Sequence, residues 1–152
     1  MPRLLEHKRA HHDYSIEERF EAGIELLGSE VKSLRAGQGK LLGAHVVIRG
    51  GEAYVLGMQV PPYQPKNASS DFDPMRTRKL LFTKKELATL ALFEARKGFT
   101  LIPVAIYTKA KKIKVEVAVA KGKKLHDRRE DIKKREDTRA MARAGKGTIH
   151  DL

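Results

Sequence analysis

Residues 44–56 read AHVVIRGGEAYVL, and this stretch decides the fold. Its first half contains three consecutive aliphatic residues, Val46–Ile48, and its second half alternates polar with apolar positions. Gly50-Gly51 between them is a strong signal for a two-residue hairpin turn. The stretch therefore predicts two antiparallel strands, at 44–49 and 52–60, with prolines ending the second.

Three further strands follow from the same kind of pattern. Residues 13–27 alternate over their first half and predict one long strand, with a bend expected at Gly23. Residues 100–107 and 112–120 are the other two. Pro103 indicates that its strand lies at a sheet edge or contains a bulge.

Two helices are predicted between the strands. Ser29 is a good N-cap for a short helix that ends at Gly37. Thr83, with Glu86 at capping-box spacing, begins an amphipathic helix that runs towards Gly98. Five or six strands with so few helices argue against a parallel α/β fold. We predict a mainly β protein, a small antiparallel barrel of the oligonucleotide-binding (OB) type, with two or three short helices.

The apolar pattern ends at about residue 121, and this divides the chain. Residues 1–121 are predicted to form the barrel, with residues 1–12 as a loosely held basic arm. Residues 122–152, called the tail below, are rich in Lys and Arg and contain few large apolar side chains. A segment with so little to bury is expected to be disordered alone and helical when bound to RNA.

The charge balance indicates a polyanionic partner. The 152 residues include 31 Lys and Arg against 19 acidic residues, which gives a formal charge of +12 and a pI near 10.0. Nucleic acid is the commonest polyanion that such a protein binds. No apolar run is long enough to span a membrane, and the N-terminus does not resemble a signal peptide. The chain has no cysteine, so we expect a cytoplasmic protein. We also expect a monomer.

No pattern typical of an enzyme or a metal site is present. His11 and His12 are adjacent, and neighbouring side chains of an extended segment point to opposite faces. The Gly37–Lys40 segment lacks the spacing of a phosphate-binding loop. No acid and base occur at a spacing that pairs them on one element. We therefore expect neither catalysis nor a cofactor, and a ribonuclease fits worst of the functions considered.

Three basic clusters are the strongest functional signal. In an extended chain, alternate residues such as Arg76 and Arg78 share a face and could follow one phosphate backbone. The alternative is a solvated basic surface that only aids solubility. We predict RNA or DNA binding by the members of these clusters: Lys8, Arg9, Arg76, Arg78, Lys79, Lys121, Lys123 and Lys124.

Several ordered stretches resemble the bacterial SsrA-binding protein family, also called small protein B. The clearest are GSEVKSLR at 28–35, RTRKLL at 76–81 and AKGKKLHDRRE at 120–130. The resemblance implies an adaptor that binds the tRNA-like part of transfer-messenger RNA and is not an enzyme. It also implies delivery of that RNA to stalled ribosomes, where the tail enters the empty mRNA channel of the small subunit near the A site.

The resemblance also implies roles for particular residues. Glu30, Lys32, Arg35 and Asn67 match positions of the family's RNA-binding surface, and His126, Asp127, Arg128 and Arg129 match the tail segment near the decoding centre. A carboxylate repels phosphate, so Glu30 would accept hydrogen bonds from base or 2′-OH donors, or orient Lys32 or Arg35. The competing explanation is a helix-start carboxylate favoured by the helix dipole.

Two departures and one alternative function stay open. His7 stands where the family usually has Asn before the first basic pair, which puts an RNA contact there in doubt. Arg128 stands where the family often has Lys, and a planar guanidinium differs in contact geometry from an ammonium. The alternative function is an OB-type ribosomal or assembly protein that binds rRNA directly.

Overall fold

A computed structural model describes residues 3–67 and 72–122 of the chain. These residues contain seven strands, three α-helices and one 3-10 turn at Pro65–Asn67. The strands are β1 (Arg3–Glu6), β2 (Tyr14–Ile24), β3 (His45–Arg49), β4 (Glu52–Leu56), β5 (Arg78–Leu81), β6 (Phe99–Lys109) and β7 (Lys112–Gly122). The helices are α1 (Ala10–Asp13), α2 (Gly28–Arg35) and α3 (Lys84–Ala95).

The predicted hairpin at residues 44–56 is confirmed as β3 and β4. The two strands pair antiparallel from His45 opposite Leu56 to Arg49 opposite Glu52. Gly50 and Gly51 have φ values of +59° and +75°. Two consecutive positive φ angles are the signature of a type I′ turn, whose twist matches that of the flanking strands. The second strand ends at Leu56, earlier than predicted.

The strands close into a ring that surrounds the main core. All pairings are antiparallel, and β6, β3, β4, β5, β2 and β7 follow one another before β7 pairs with β6 again. Strand β1 adds to β6 outside this ring. The core inside holds fully buried aliphatic side chains from every strand of the ring, such as Val55, Leu101 and Val117. The predicted mainly β, antiparallel architecture is confirmed, whereas β1 and β5 were not among the strands located from the sequence.

Strands β6 and β7 form a long two-stranded ribbon. Their pairing runs from Phe99 opposite Lys121 to Lys109 opposite Lys112. Its register shifts between Pro103 and Ala105, so the bulge predicted from Pro103 is confirmed. Strand β6 is nevertheless not an edge strand, because it also pairs with β1 and β3.

Strand β2 is irregular at a different place from the one predicted. Its register against β7 shifts between Ile16 and Glu18, not at Gly23. Gly23 lies where β2 has β5 on one side and β7 on the other. A Cβ at Gly23 would lie 3.3 Å from the Cβ of Leu81, so this glycine permits a close approach of two strands.

The helix start predicted at Thr83 is confirmed, and the one predicted at Ser29 is wrong. At α3, the Thr83 hydroxyl accepts a hydrogen bond from the Glu86 N–H, and the Glu86 carboxylate accepts one from the Thr83 N–H. Helix α2 has Leu27 rather than Ser29 at its N-cap position. The Glu30 carboxylate accepts the Leu27 N–H at 2.8 Å, so a side chain three residues into the helix satisfies that donor.

The prediction of a loosely held N-terminal arm was also wrong for its described residues. Leu5 and Glu6 pair with β6, and the His7 N–H donates to the Val104 carbonyl. Ala10 in α1 is buried in a second apolar cluster against β6 and β7. Paired backbone and a buried methyl group attach this segment to the ring, although its composition is mostly polar. No helix in the described ranges is long and apolar enough to cross a membrane.

Candidate RNA-binding surface

A buried ion-pair network joins α2 to the segment before β5. Both Glu30 oxygens accept hydrogen bonds from Arg76, at 2.6 Å from Nη2 and 3.2 Å from Nε. Glu30 Oε2 also accepts a hydrogen bond from Arg78 Nε at 2.8 Å, and Arg78 Nη2 lies 2.6 Å from the same oxygen in an ion pair. The side chains of Glu30 and Arg78 are fully buried, and that of Arg76 is 34% exposed.

The charge on Glu30 is stable in this environment. Burial opposes ionisation, but hydrogen bonds from Arg76, the Leu27 N–H and Arg78 outweigh it, so the pKa of Glu30 lies below its ordinary value. The carboxylate therefore stays charged at neutral pH. It neither reaches the surface nor orients Lys32 or Arg35, which were the two functional roles predicted for it. Its position in the first turn of α2 is the one expected for a helix-start carboxylate.

Arg78 was predicted to contact RNA, and its placement argues against that role. Besides Glu30, its guanidinium donates to the carbonyls of Met58 at 2.8 Å, Arg76 at 2.9 Å and Pro74 at 3.2 Å. These contacts bury the whole Arg78 side chain, so it presents no donor to a phosphate at the surface. Arg78 instead holds both ends of the loop between β4 and β5. The alternation of a strand explains this, because Arg78 points inward while its neighbours point outward.

The other basic residues predicted in the described ranges lie at the surface. Lys8, Arg9, Lys32, Arg35 and Lys121 are exposed, while Lys79 is half-buried. Lys79 forms an ion pair with Glu52 at 3.3 Å, and this contact raises the pKa of Lys79. Arg9 Nη2 lies 3.9 Å from Asp13 Oδ1. Asn67 ends the 3-10 turn. Lys123, Lys124, His126, Asp127, Arg128 and Arg129 lie outside the described residues.

The fold brings Arg35 to the turn between β6 and β7, which sequence analysis did not connect. Arg35 Nη2 donates to the Lys111 carbonyl at 3.1 Å. A groove of about 340 Å³ lies there, with apolar side chains from β2, α2 and β5 and three lysines from the turn. We call it the hairpin groove; its lining includes Leu26, Leu81, Arg35, Lys111, Lys112 and Lys114.

The hairpin groove contains functional candidates that sequence analysis missed. Residues 109–114 include four lysines, but a turn rich in lysine is typical of any solvated hairpin, so the sequence alone gave no reason to choose them. Arg35 supplies that reason, because it adds a guanidinium from an element 76 residues away in the chain. Cations above an apolar floor can bind phosphates while the floor contacts ribose or base.

Metal ligation has no support in the described residues. Across residues 3–67 and 72–122, no group of three or more His, Asp or Glu side chains is arranged to hold a metal ion. The adjacent histidines belong to a local polar cluster instead, in which His12 Nδ1 lies 2.9 Å from Asp13 Oδ1.

The ring of antiparallel strands and its exposed cations define a class of protein, a small β protein with a surface suited to RNA. The family model described as SmpB protein matches residues 4–147, and this chain belongs to that family. The family resemblance seen in the sequence is thereby confirmed.

Relatives and a solved structure agree with this assignment. An SsrA-binding protein of Microcystis aeruginosa is 46% identical over 143 residues, which cover 94% of this chain and 93% of the relative. One from Caldicellulosiruptor bescii is 52% identical over 133 residues, covering 88% of this chain and 84% of the relative. A structure described as "tmRNA-SmpB: a journey to the center of the bacterial ribosome" matches with a TM-score of 0.68 and 44% identity. That match covers 80% of this chain and 85% of the other.

Proposed function

We propose that this protein binds transfer-messenger RNA and delivers it to stalled ribosomes, as an adaptor in trans-translation and not as an enzyme. The observation that carries this proposal is the family match, which extends over residues 4–147 and so includes most of the tail. The relatives are named SsrA-binding proteins, and the matched structure concerns tmRNA and the bacterial ribosome. SsrA and tmRNA are both names of transfer-messenger RNA. Such a role belongs in the cytoplasm.

The ring and the tail have different tasks in this proposal. The ring binds the tRNA-like part of the RNA through exposed cations, among which Lys32, Arg35 and the lysines of the hairpin groove are the best placed. The tail, with Lys123, Lys124 and the segment His126–Arg129, enters the mRNA channel of the small subunit. Glu30, Arg76 and Arg78 support the ring from within, since their contacts fix α2 against the loop before β5.

Recovery of RNA bound to the protein tests the RNA partner. Tagged protein expressed in its own cells should enrich one transfer-messenger-like RNA over total RNA. Enrichment of bulk rRNA without that species would instead favour the alternative, an OB-type ribosomal or assembly protein that binds rRNA directly.

Deletion of residues 123–152 tests the division of tasks. The shortened protein should retain most of its affinity for transfer-messenger RNA and lose the tagging of stalled nascent chains in a reconstituted translation system. Loss of RNA affinity on deletion would show that the tail contributes to RNA binding and would contradict the division. The Lys84→Gln/Lys85→Gln variant shows the effect of losing positive charge alone, because both lysines are exposed at the start of α3.

A further inference from the structure

Three cations meet where β6 begins and β7 ends. Helix α3 ends at Ala95, and the following turn carries Arg96 and Lys97 to the start of β6, where Phe99 pairs with Lys121. Gly98 in this turn has a φ of +87°, and a Cβ on it would lie 3.8 Å from the Lys121 side chain. We call Arg96, Lys97 and Lys121 the exit cluster, because the chain continues from here into the tail.

Two aromatic rings support the exit cluster. Phe93 and Phe99 pack together with their centroids 6.1 Å apart and their planes tilted by 55°. Arg96 Cζ lies 5.8 Å from the centre of the Phe93 ring, and Lys121 Nζ lies 6.0 Å from the centre of the Phe99 ring. At such distances a cation is attracted by the ring. Each aromatic ring restricts the position of its cation, and this contact uses none of the N–H donors of that cation.

Within the described part of the chain, no carboxylate neutralises the exit cluster. The acid closest in sequence is Glu94, which accepts the Ile48 N–H at 3.0 Å and pairs with Arg49 at 2.9 Å. Arg96, Lys97 and Lys121 form no ion pair with a described residue and are all exposed. Two cations positioned by aromatic rings, with the exposed Lys97 next to Arg96 in the chain, suit a phosphodiester backbone, whose phosphates accept several hydrogen bonds each.

We infer that the exit cluster binds the phosphate backbone of ribosomal RNA at the site that receives the tail. The inference rests on the proposed function for its partner. Position in the chain selects ribosomal RNA, because Lys121 and Gly122 directly precede the tail. The hairpin groove lies at the other end of the β6–β7 ribbon, where Lys112 is nine residues from Lys121 along β7, or about 30 Å of strand at 3.3 Å per residue. The exit cluster is therefore a site separate from that groove.

The test compares two variants of the full chain that lose the same charge. Lys97→Gln/Lys121→Gln removes two cations of the exit cluster, and Lys84→Gln/Lys85→Gln removes two from the opposite end of α3. Binding to purified small ribosomal subunits with an empty A site is measured at several salt concentrations. The first variant should lower the slope of log affinity against log salt by about 1.4, since each phosphate contact contributes about 0.7. The second variant should leave the slope unchanged.

Two further measurements keep the result specific. Affinity of Lys97→Gln/Lys121→Gln for isolated transfer-messenger RNA should equal that of the unchanged protein; a matching loss there would assign the exit cluster to that RNA and overturn the inference. A photo-crosslinker at position 97 should attach to ribosomal RNA in the assembled complex. Attachment to ribosomal protein alone, or equal slopes for both variants, would also overturn it. Failure of the proposed function is recognised separately, because the unchanged protein would then bind no transfer-messenger RNA.

Discussion

The Arg78→Met variant tests whether the Arg78 guanidinium has a structural role or makes the RNA contact that its sequence context suggests. The substitution removes the hydrogen bond to Glu30 and leaves the carbonyls of Met58, Pro74 and Arg76 without this partner. It also leaves the buried Glu30 with Arg76 as its remaining cation. Removing one member of a buried ion pair typically costs about 3–5 kcal/mol. At about 4 °C per kcal/mol for a body of this size, the midpoint of thermal unfolding should fall by about 12–20 °C.

Circular dichroism during heating and in urea measures this loss, and a matched variant controls for it. Lys79→Met changes the next residue, whose ion pair with Glu52 lies at the surface, so its melting temperature should change little. At a temperature at which both variants are folded, Arg78→Met should keep the salt dependence of RNA binding. Wild-type stability of Arg78→Met, or a salt slope lower by about 0.7–0.9, would refute the structural role and restore the phosphate contact.

Three other predictions concern the ionisation of buried groups and the capping of α3. The stability that Glu30 contributes should be complete above pH 4.5 and be lost as the pH falls towards the lower pKa that Glu30 has in the folded protein. Midpoints of urea unfolding measured from pH 3 to 7 should fall at low pH in the wild type. They should depend less on pH in Glu30→Gln. Burial lowers the pKa of His7, although Asp13 opposes this, so stability should decline as the pH falls below 6.5; a decline of equal size in His7→Asn would contradict the assignment. Thr83→Ala should cost about 1 kcal/mol in urea unfolding because it removes the side chain that caps α3, and Thr83→Ser should retain most of that stability.

Sequence patterns predicted the features that are determined within a few residues. The hairpin at Gly50-Gly51, the capping box at Thr83 and the bulge near Pro103 each depend on backbone geometry or on contacts three residues apart. Their physical causes are therefore visible in a short window of sequence. The mainly β architecture follows from these local features together, because so few helices separate the strands.

The parts that could not be predicted depend on contacts between distant residues. Strand β1 contains four residues of mixed character, and only its pairing with β6, about 100 residues later, makes it a strand. The Glu30–Arg78 pair joins positions 48 apart. A basic run such as Arg76–Lys79 does not reveal which of its side chains is buried, because that depends on which face of β5 meets the core. Net charge therefore overstates the number of cations available to RNA.

In the function proposed above, the β6–β7 ribbon would keep the two RNA sites of one small domain apart. Each strand has 11 residues, and the two remain paired over their full length, so the ends cannot move independently. The hairpin groove lies at one end, and the residue from which the tail continues lies at the other. RNA bound at the groove is thereby held at a set distance from the start of the tail, about 30 Å at 3.3 Å per residue. Cysteine pairs at positions 111 and 97, labelled for distance measurement, should report the same separation in the free protein and in its RNA complex, because a paired two-stranded ribbon supported by β1, β2 and β3 resists bending.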